Sequence, residues 1–152
     1  MQRIDKYPAK VLSEINRSSS ILRDIFDNTF TGIHIDNDEG NLIVGSWGAV
    51  MEGWGTPELK GSLKSINIHT KKIKNLGKKP IGNLDGIESD GKGSYLVTDW
   101  TGAKLYRIKK NGKYKVLAEV GKGAADHEVI LDKNLIIIPV MAEGKVVALK
   151  VK

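Results

Sequence analysis

The sequence predicts an all-β fold, a β-propeller of four-stranded blades, and three observations carry this expectation. The first is an internal repeat. Thr31-Gly32-Ile33-His34 through Leu42-Ile43-Val44-Gly45-Ser46-Trp47 matches Asp85-Gly86-Ile87-Glu88 through Tyr95-Leu96-Val97-Thr98-Asp99-Trp100. Each copy reads Gly-Ile, an acidic turn with glycine, an apolar strand, then Trp. The second is that short apolar or alternating runs bounded by Gly, Asn and Asp dominate the chain, which is the strand signal. The third is that repeat units of roughly 40 to 54 residues with four strands each suit propeller blades better than a sandwich.

Naming the strands of a unit A to D, A follows Gly-Ile, B ends near Trp, C carries Leu-x-x-Ile, and D is the Lys-x-Leu run. Arg3-Ile4-Asp5-Lys6 and Val11-Leu12-Ser13-Glu14-Ile15 read as C and D of a first blade. Two full blades follow near 30–77 and 83–120. Ala125-Asp126-His127-Glu128-Val129-Ile130, Leu135-Ile136-Ile137-Ile138-Pro139 and Lys145-Val146-Val147-Ala148-Leu149-Lys150-Val151 supply A to C of a last one, 124–152. Only Ser18 to Phe26 suggests a helical turn. A ring closes when terminal blades meet and hide their faces. Part of a ring is therefore expected, either an incomplete piece or one completed by a homodimer.

Composition narrows the function classes. Hydrophobic residues make up 40% and charged residues 28%, ordinary values for a globular domain. No apolar run approaches the roughly 18 residues that span a bilayer, so no membrane partner is expected. The N-terminal residues lack the apolar core of a signal peptide. Without cysteine, disulfides and thiolate metal sites are excluded. The net charge of +6 comes mostly from lysines such as Lys71, Lys72, Lys74, Lys78, Lys79, Lys109, Lys110 and Lys113. These sit beside Gly and Asn in turn-like places, and aromatics reach only 6%. A nucleic-acid partner is not expected, because it needs basic charge on one face with stacking rings.

The block Pro80-Ile81-Gly82-Asn83-Leu84-Asp85-Gly86-Ile87-Glu88-Ser89-Asp90-Gly91-Lys92-Gly93, with Tyr95 to Trp100 after it, resembles the regucalcin, gluconolactonase and luciferin-regenerating-enzyme family. Gly45-Ser46-Trp47-Gly48 and Ile138-Pro139 followed by Lys145-Val146-Val147-Ala148 fit the same resemblance, which covers residues 30–152. It implies a six-bladed propeller with a divalent metal in its channel, calcium foremost and zinc as the substitute, and hydrolysis of sugar-acid lactones or related esters. It places this chain in the C-terminal half of proteins about twice its length.

The resemblance also implies a ligand set of a Glu from an early blade, an Asn, and an Asp in an Asp-Gly pair. Asp85 matches the last as metal ligand and catalytic base, since a hard cation takes oxygen ligands and a carboxylate can accept a proton from water. The Asn position holds Thr31, a poorer ligand, and the Glu would precede Met1, so one family ligand of three is present and a competent metal site is not expected in this chain alone. Taken alone, Asp85 before Gly86 is also an ordinary turn residue.

Topology adds candidate substrate contacts. In an up-and-down blade strand A starts where B finishes, so Asp85, Trp47, Asp99 and Trp100 are expected on one rim. The loop Gly48 to Gly61, with Trp54, is expected there as a substrate lid or a surface insertion. His34 and Glu88 hold matching places in strand A, facing substrate or pairing between blades. Asp126 belongs to the densest polar cluster, Asp126-His127-Glu128, although either Ala125 or Asp126 aligns with Asp85. No Ser-His-Asp elbow, phosphate loop or dinucleotide signature occurs. The expected partner is a small lactone or ester. The competing reading is a non-catalytic propeller that binds a ligand or protein across its rim.

Overall fold

A computed structural model of the chain describes residues 28–36, 40–49 and 59–151. The expected first-blade strands, the Ser18 to Phe26 turn and Trp54 lie outside the described residues. Among the described residues twelve strands form three antiparallel sheets. In the first, β1 (Asn28–Asp36), β2 (Asn41–Ala49), β4 (Leu63–Asn67) and β5 (Ile73–Leu76) lie side by side, and the short β3 (Leu59–Lys60) pairs with the end of β2. In the second, β6 (Leu84–Ser89), β7 (Ser94–Asp99), β8 (Lys104–Lys109) and β9 (Tyr114–Glu119) follow the same up-and-down order. The third holds β10 (Glu128–Ile130), β11 (Leu135–Val140) and β12 (Lys145–Lys150).

Local sequence accounts for the hairpins. The Asp90 carboxylate accepts the backbone N–H groups of Lys92 and Ser94 at 2.8 and 2.9 Å, closing the β6–β7 turn. Its other oxygen pairs with Arg107 Nε at 3.3 Å. Asn67 does the same between β4 and β5, accepting from the N–H groups of His69 and Thr70. Short polar side chains that replace backbone acceptors are why Asp and Asn mark these turns.

The period of two along each strand divides its apolar residues between two neighbours. From β7, Tyr95 and Val97 enter a core with Ile43 and Leu63 of the first sheet, while Leu96 joins Ile136 and Ile138 of the third. From β8, Tyr106 and Ile108 point one way and Leu105 the other. The middle sheet is thus buried on both faces, as a blade between blades must be. Ile108 is fully buried, and Ile108→Ala would cost about 2–5 kcal/mol through lost transfer energy and the cavity left behind.

Inner strands approach most closely at glycines. A Cβ on Gly32 of β1 would lie 1.9 Å from the Asp85 carbonyl oxygen of β6. The bare backbone lets the two strands meet. Ile87 packs back onto Gly45 and is 2% exposed, whereas the corresponding Ile33 is 49% exposed, with no preceding sheet among the described residues.

Candidate functional site at the inner strands

Backbone pairing aligns the second and third sheets and decides what stands opposite Asp85. Leu84 pairs with Asp99 and Glu88 with Leu96, while Ala124 pairs with Val140 and Glu128 with Ile137. Each pair of anchors encloses three residues on the inner strand. Asp85, Gly86 and Ile87 therefore correspond to Ala125, Asp126 and His127. The two alternatives left open by the sequence resolve to Ala125. Trp100 N–H donating to the Asn83 carbonyl and Met141 N–H to that of Gly123 repeat the same correspondence.

Asp85 stands second in β6, where a bulge interrupts pairing before Ile87. Gly86 N–H, freed by the bulge, donates to the Thr98 hydroxyl at 2.8 Å. That hydroxyl in turn donates to the Ala125 carbonyl at 2.9 Å, tying the second sheet to the entry of the third. The result brings Asp85 near Asp126. Burial, reinforced by the Asp126 charge, pushes the Asp85 carboxyl up to about 6. Asp126 itself is exposed, and one of its oxygens accepts the His127 N–H at 3.1 Å.

His127, the middle residue of the Asp126-His127-Glu128 run, is buried to 6% exposure. Its imidazole lies against Gly86, where a Cβ would come within 2.6 Å of Nδ1. Burial holds it below the usual histidine range, against the opposing pull of Asp126 and Glu88. Neither ring nitrogen has a hydrogen-bond partner among the described residues. The Asp-His-Glu run marked a polar cluster. Which of its members faces inward depends on the bulge, which short-range pattern does not report.

The other expected contacts separate into groups. His34 Nδ1 and Glu88 Oε2 lie 3.5 Å apart, joining matching positions of successive sheets, and the His34 ring meets Tyr95 edge-on. Thr31 falls in the irregular stretch of β1 between Phe30 and Gly32. Trp47 and Trp100 share one rim, with ring centroids 6.0 Å apart. Beneath them Asn83 is buried, donating to the Trp47 carbonyl at 2.6 Å and accepting from the Thr101 hydroxyl.

Asp99 occupies the same rim but is 3% exposed. Its carboxylate accepts the N–H groups of Asn83 and Gly102 at 3.1 and 2.9 Å and the Tyr106 hydroxyl at 3.1 Å. Gly82 and Gly102 leave it room, since a Cβ on either would lie about 2 Å from Oδ2. These bonds commit Asp99 to holding the rim together. A surface cavity of about 370 Å³ opens between the first and second sheets, lined by Asn41, Ser65, Lys72 and Lys74 among others. None of the expected site residues lines it, so the inner-strand cluster is the better candidate.

As a metal centre the cluster is incomplete. Among the described residues no group of three His, Asp or Glu side chains could hold a metal ion. Ala125, at the position matching Asp85, offers no side-chain donor. The donor set does not fit a divalent cation as it stands.

No protein-family model matches the chain, and no curated protein matches it. Among solved structures it is similar to a chain of the nidogen/laminin complex, with 12% identity, a TM-score of 0.55, and coverage of 74% of this chain and 40% of that one. It is also similar to Kuenenia stuttgartiensis hydrazine synthase, with 13% identity, a TM-score of 0.63, and coverage of 84% and 47%. This chain spans less than half the length of either. These are propeller-type structures, and with the three stacked antiparallel sheets they establish the class of the fold. The chain is a β-propeller protein.

Proposed function

We propose that the chain is part of a gluconolactonase-like propeller that hydrolyses a sugar-acid lactone or a related ester, with Asp85 as the general base. The observation that supports this is the raised Asp85 carboxyl, about 6, at the start of an inner strand. A base works best with a pKa near the working pH, and an ordinary aspartate is too weak. Asp85 takes a proton from water as the water oxygen bonds to the carbonyl carbon. The ring C–O bond then breaks and the departing alkoxide takes the proton back, leaving a hydroxy acid. Calcium or zinc enters this reading through the family resemblance alone, with Asp85 as one oxygen ligand.

Proton release from D-glucono-1,5-lactone, with and without added calcium or zinc, tests the reading. Wild-type turnover above the spontaneous rate is expected, falling by about 10²–10⁴-fold in Asp85→Asn, the range that general-base catalysis supplies. Turnover should rise with pH through about 6 and level off above it. A second reading, a non-catalytic ligand-binding propeller, is favoured by the incomplete donor set around Asp85. Binding of the lactone without turnover under any metal condition would decide for it.

A further inference from the structure

We propose that His127 is a ligand-binding residue of the inner-strand cluster, and that the ligand it recognises is a neutral polyhydroxyl compound or its lactone rather than the sugar-acid anion. The proposal deepens the lactone reading above, on which its choice of ligand rests.

Three observations carry it. The imidazole is 6% exposed and both ring nitrogens lack a hydrogen-bond partner among the described residues. A buried polar group in that condition is costly unless something pairs with it. Second, the fold makes room for the ring. Gly86 has no side chain where one would collide with Nδ1. The corresponding residue of the preceding sheet is Ile87, fully at home in the core. An isoleucine at 127 would fill the place without an unpaired group, so the fold itself gives no reason for an imidazole. Third, the charges acting on His127 and Asp85 come from Asp126 and Glu88, all acidic.

This chemistry selects its ligand. A neutral imidazole offers one N–H donor and one acceptor. Carboxylates offer acceptors only. Together they match hydroxyl groups, each of which donates once and accepts. A ligand carboxylate would meet like charge at Asp85, Asp126 and Glu88 and be rejected. The hydroxy acid formed by ring opening is such an anion, so the same cluster that holds the lactone would expel the product.

The test reads the ring itself. Imidazole nitrogen signals of the ¹⁵N-labelled protein, which has three histidines, are assigned with His34→Gln and His69→Gln. D-galactono-1,4-lactone is then titrated, and galactonate in parallel. Saturable shifts of the His127 signals with the lactone, and none with galactonate at tenfold higher concentration, are expected. His127→Leu should fold with an unchanged or higher melting temperature and bind the lactone about 10-fold or more weakly, with His127→Gln in between. Unmoved His127 signals overturn the proposal without any variant having to fold. Equal shifts with galactonate, or undiminished binding by folded His127→Leu, overturn it as well. Hydrolysis is scored separately. Shifts without turnover sink the lactonase reading and leave His127 in place, whereas turnover with unchanged KM in His127→Leu sinks only the role of His127.

Discussion

The Thr98 hydroxyl donates to the Ala125 carbonyl at 2.9 Å, and with the Gly123 N–H donating to the Trp100 carbonyl it ties the entry of the third sheet to the second. Because the Thr98 oxygen also accepts the Gly86 N–H, one fully buried side chain serves the bulge of β6 and the strand opposite it. Asp85 and Asp126 flank that junction.

Thr98→Val keeps the shape and removes the hydroxyl. It leaves the Gly86 N–H and the Ala125 carbonyl buried without their partner, at about 2–4 kcal/mol for the two groups together. Thr98→Ser retains both bonds and loses one methyl, about 1 kcal/mol. Urea unfolding midpoints of the two variants check the order, and equal losses would contradict it.

Asp99→Ala should destabilise the protein by about 3 kcal/mol, because a buried N–H, a part-buried N–H and a buried phenol lose their acceptor. Burial and Asp99 together push the Tyr106 hydroxyl up, so it stays protonated and goes on needing an acceptor. Asp99→Asn keeps one carbonyl oxygen for the two N–H groups and should lose much less. Thermal unfolding followed by Trp47 and Trp100 fluorescence reads the difference.

Acid and stability should be linked through two groups with opposite signs. Asp85 holds its proton more tightly folded, about 6, than unfolded, 3.8. Its favourable contribution is therefore complete below pH 3.8 and is lost as pH rises through about 6. His127 is depressed from 6.5, so its contribution is present above 6.5 and is lost as pH falls. Asp85→Asn should be more stable than wild type at pH 8. It should also lose stability more steeply on acidification from 6.5 towards 4, because the opposing slope is gone. Partial exposure of Asp85 screens the effect, so its direction is the prediction. Urea midpoints at pH 4.5, 6 and 8 test it.

Much of the architecture was legible because it is local. Asp90 and Asn67 close their turns with bonds to residues two to four positions away. The continuous apolar run Tyr95-Leu96-Val97 fits a strand buried on both faces, as β7 is. Trp47 and Trp100 meet on one rim because equivalent strands of an up-and-down sheet finish at the same end. The site was legible only in part. Asp99 reads as a rim carboxylate, yet Gly82 and Gly102 close over it and backbone groups take its oxygens.

By itself the sequence determined the strands of the described blades and their order within each, since hydrophobic period and turn chemistry act over a few residues, whereas Asp85 stood out only through the family resemblance. Tertiary structure alone decided that Ala125, not Asp126, matches Asp85, and that the His127 ring is turned inward against Gly86. Both follow from one bulged residue on an inner strand. Side chains on a strand alternate faces, so a single extra residue exchanges inside for outside. Where that residue falls is fixed by the neighbouring blade, through Thr98 and the bare backbone of Gly86.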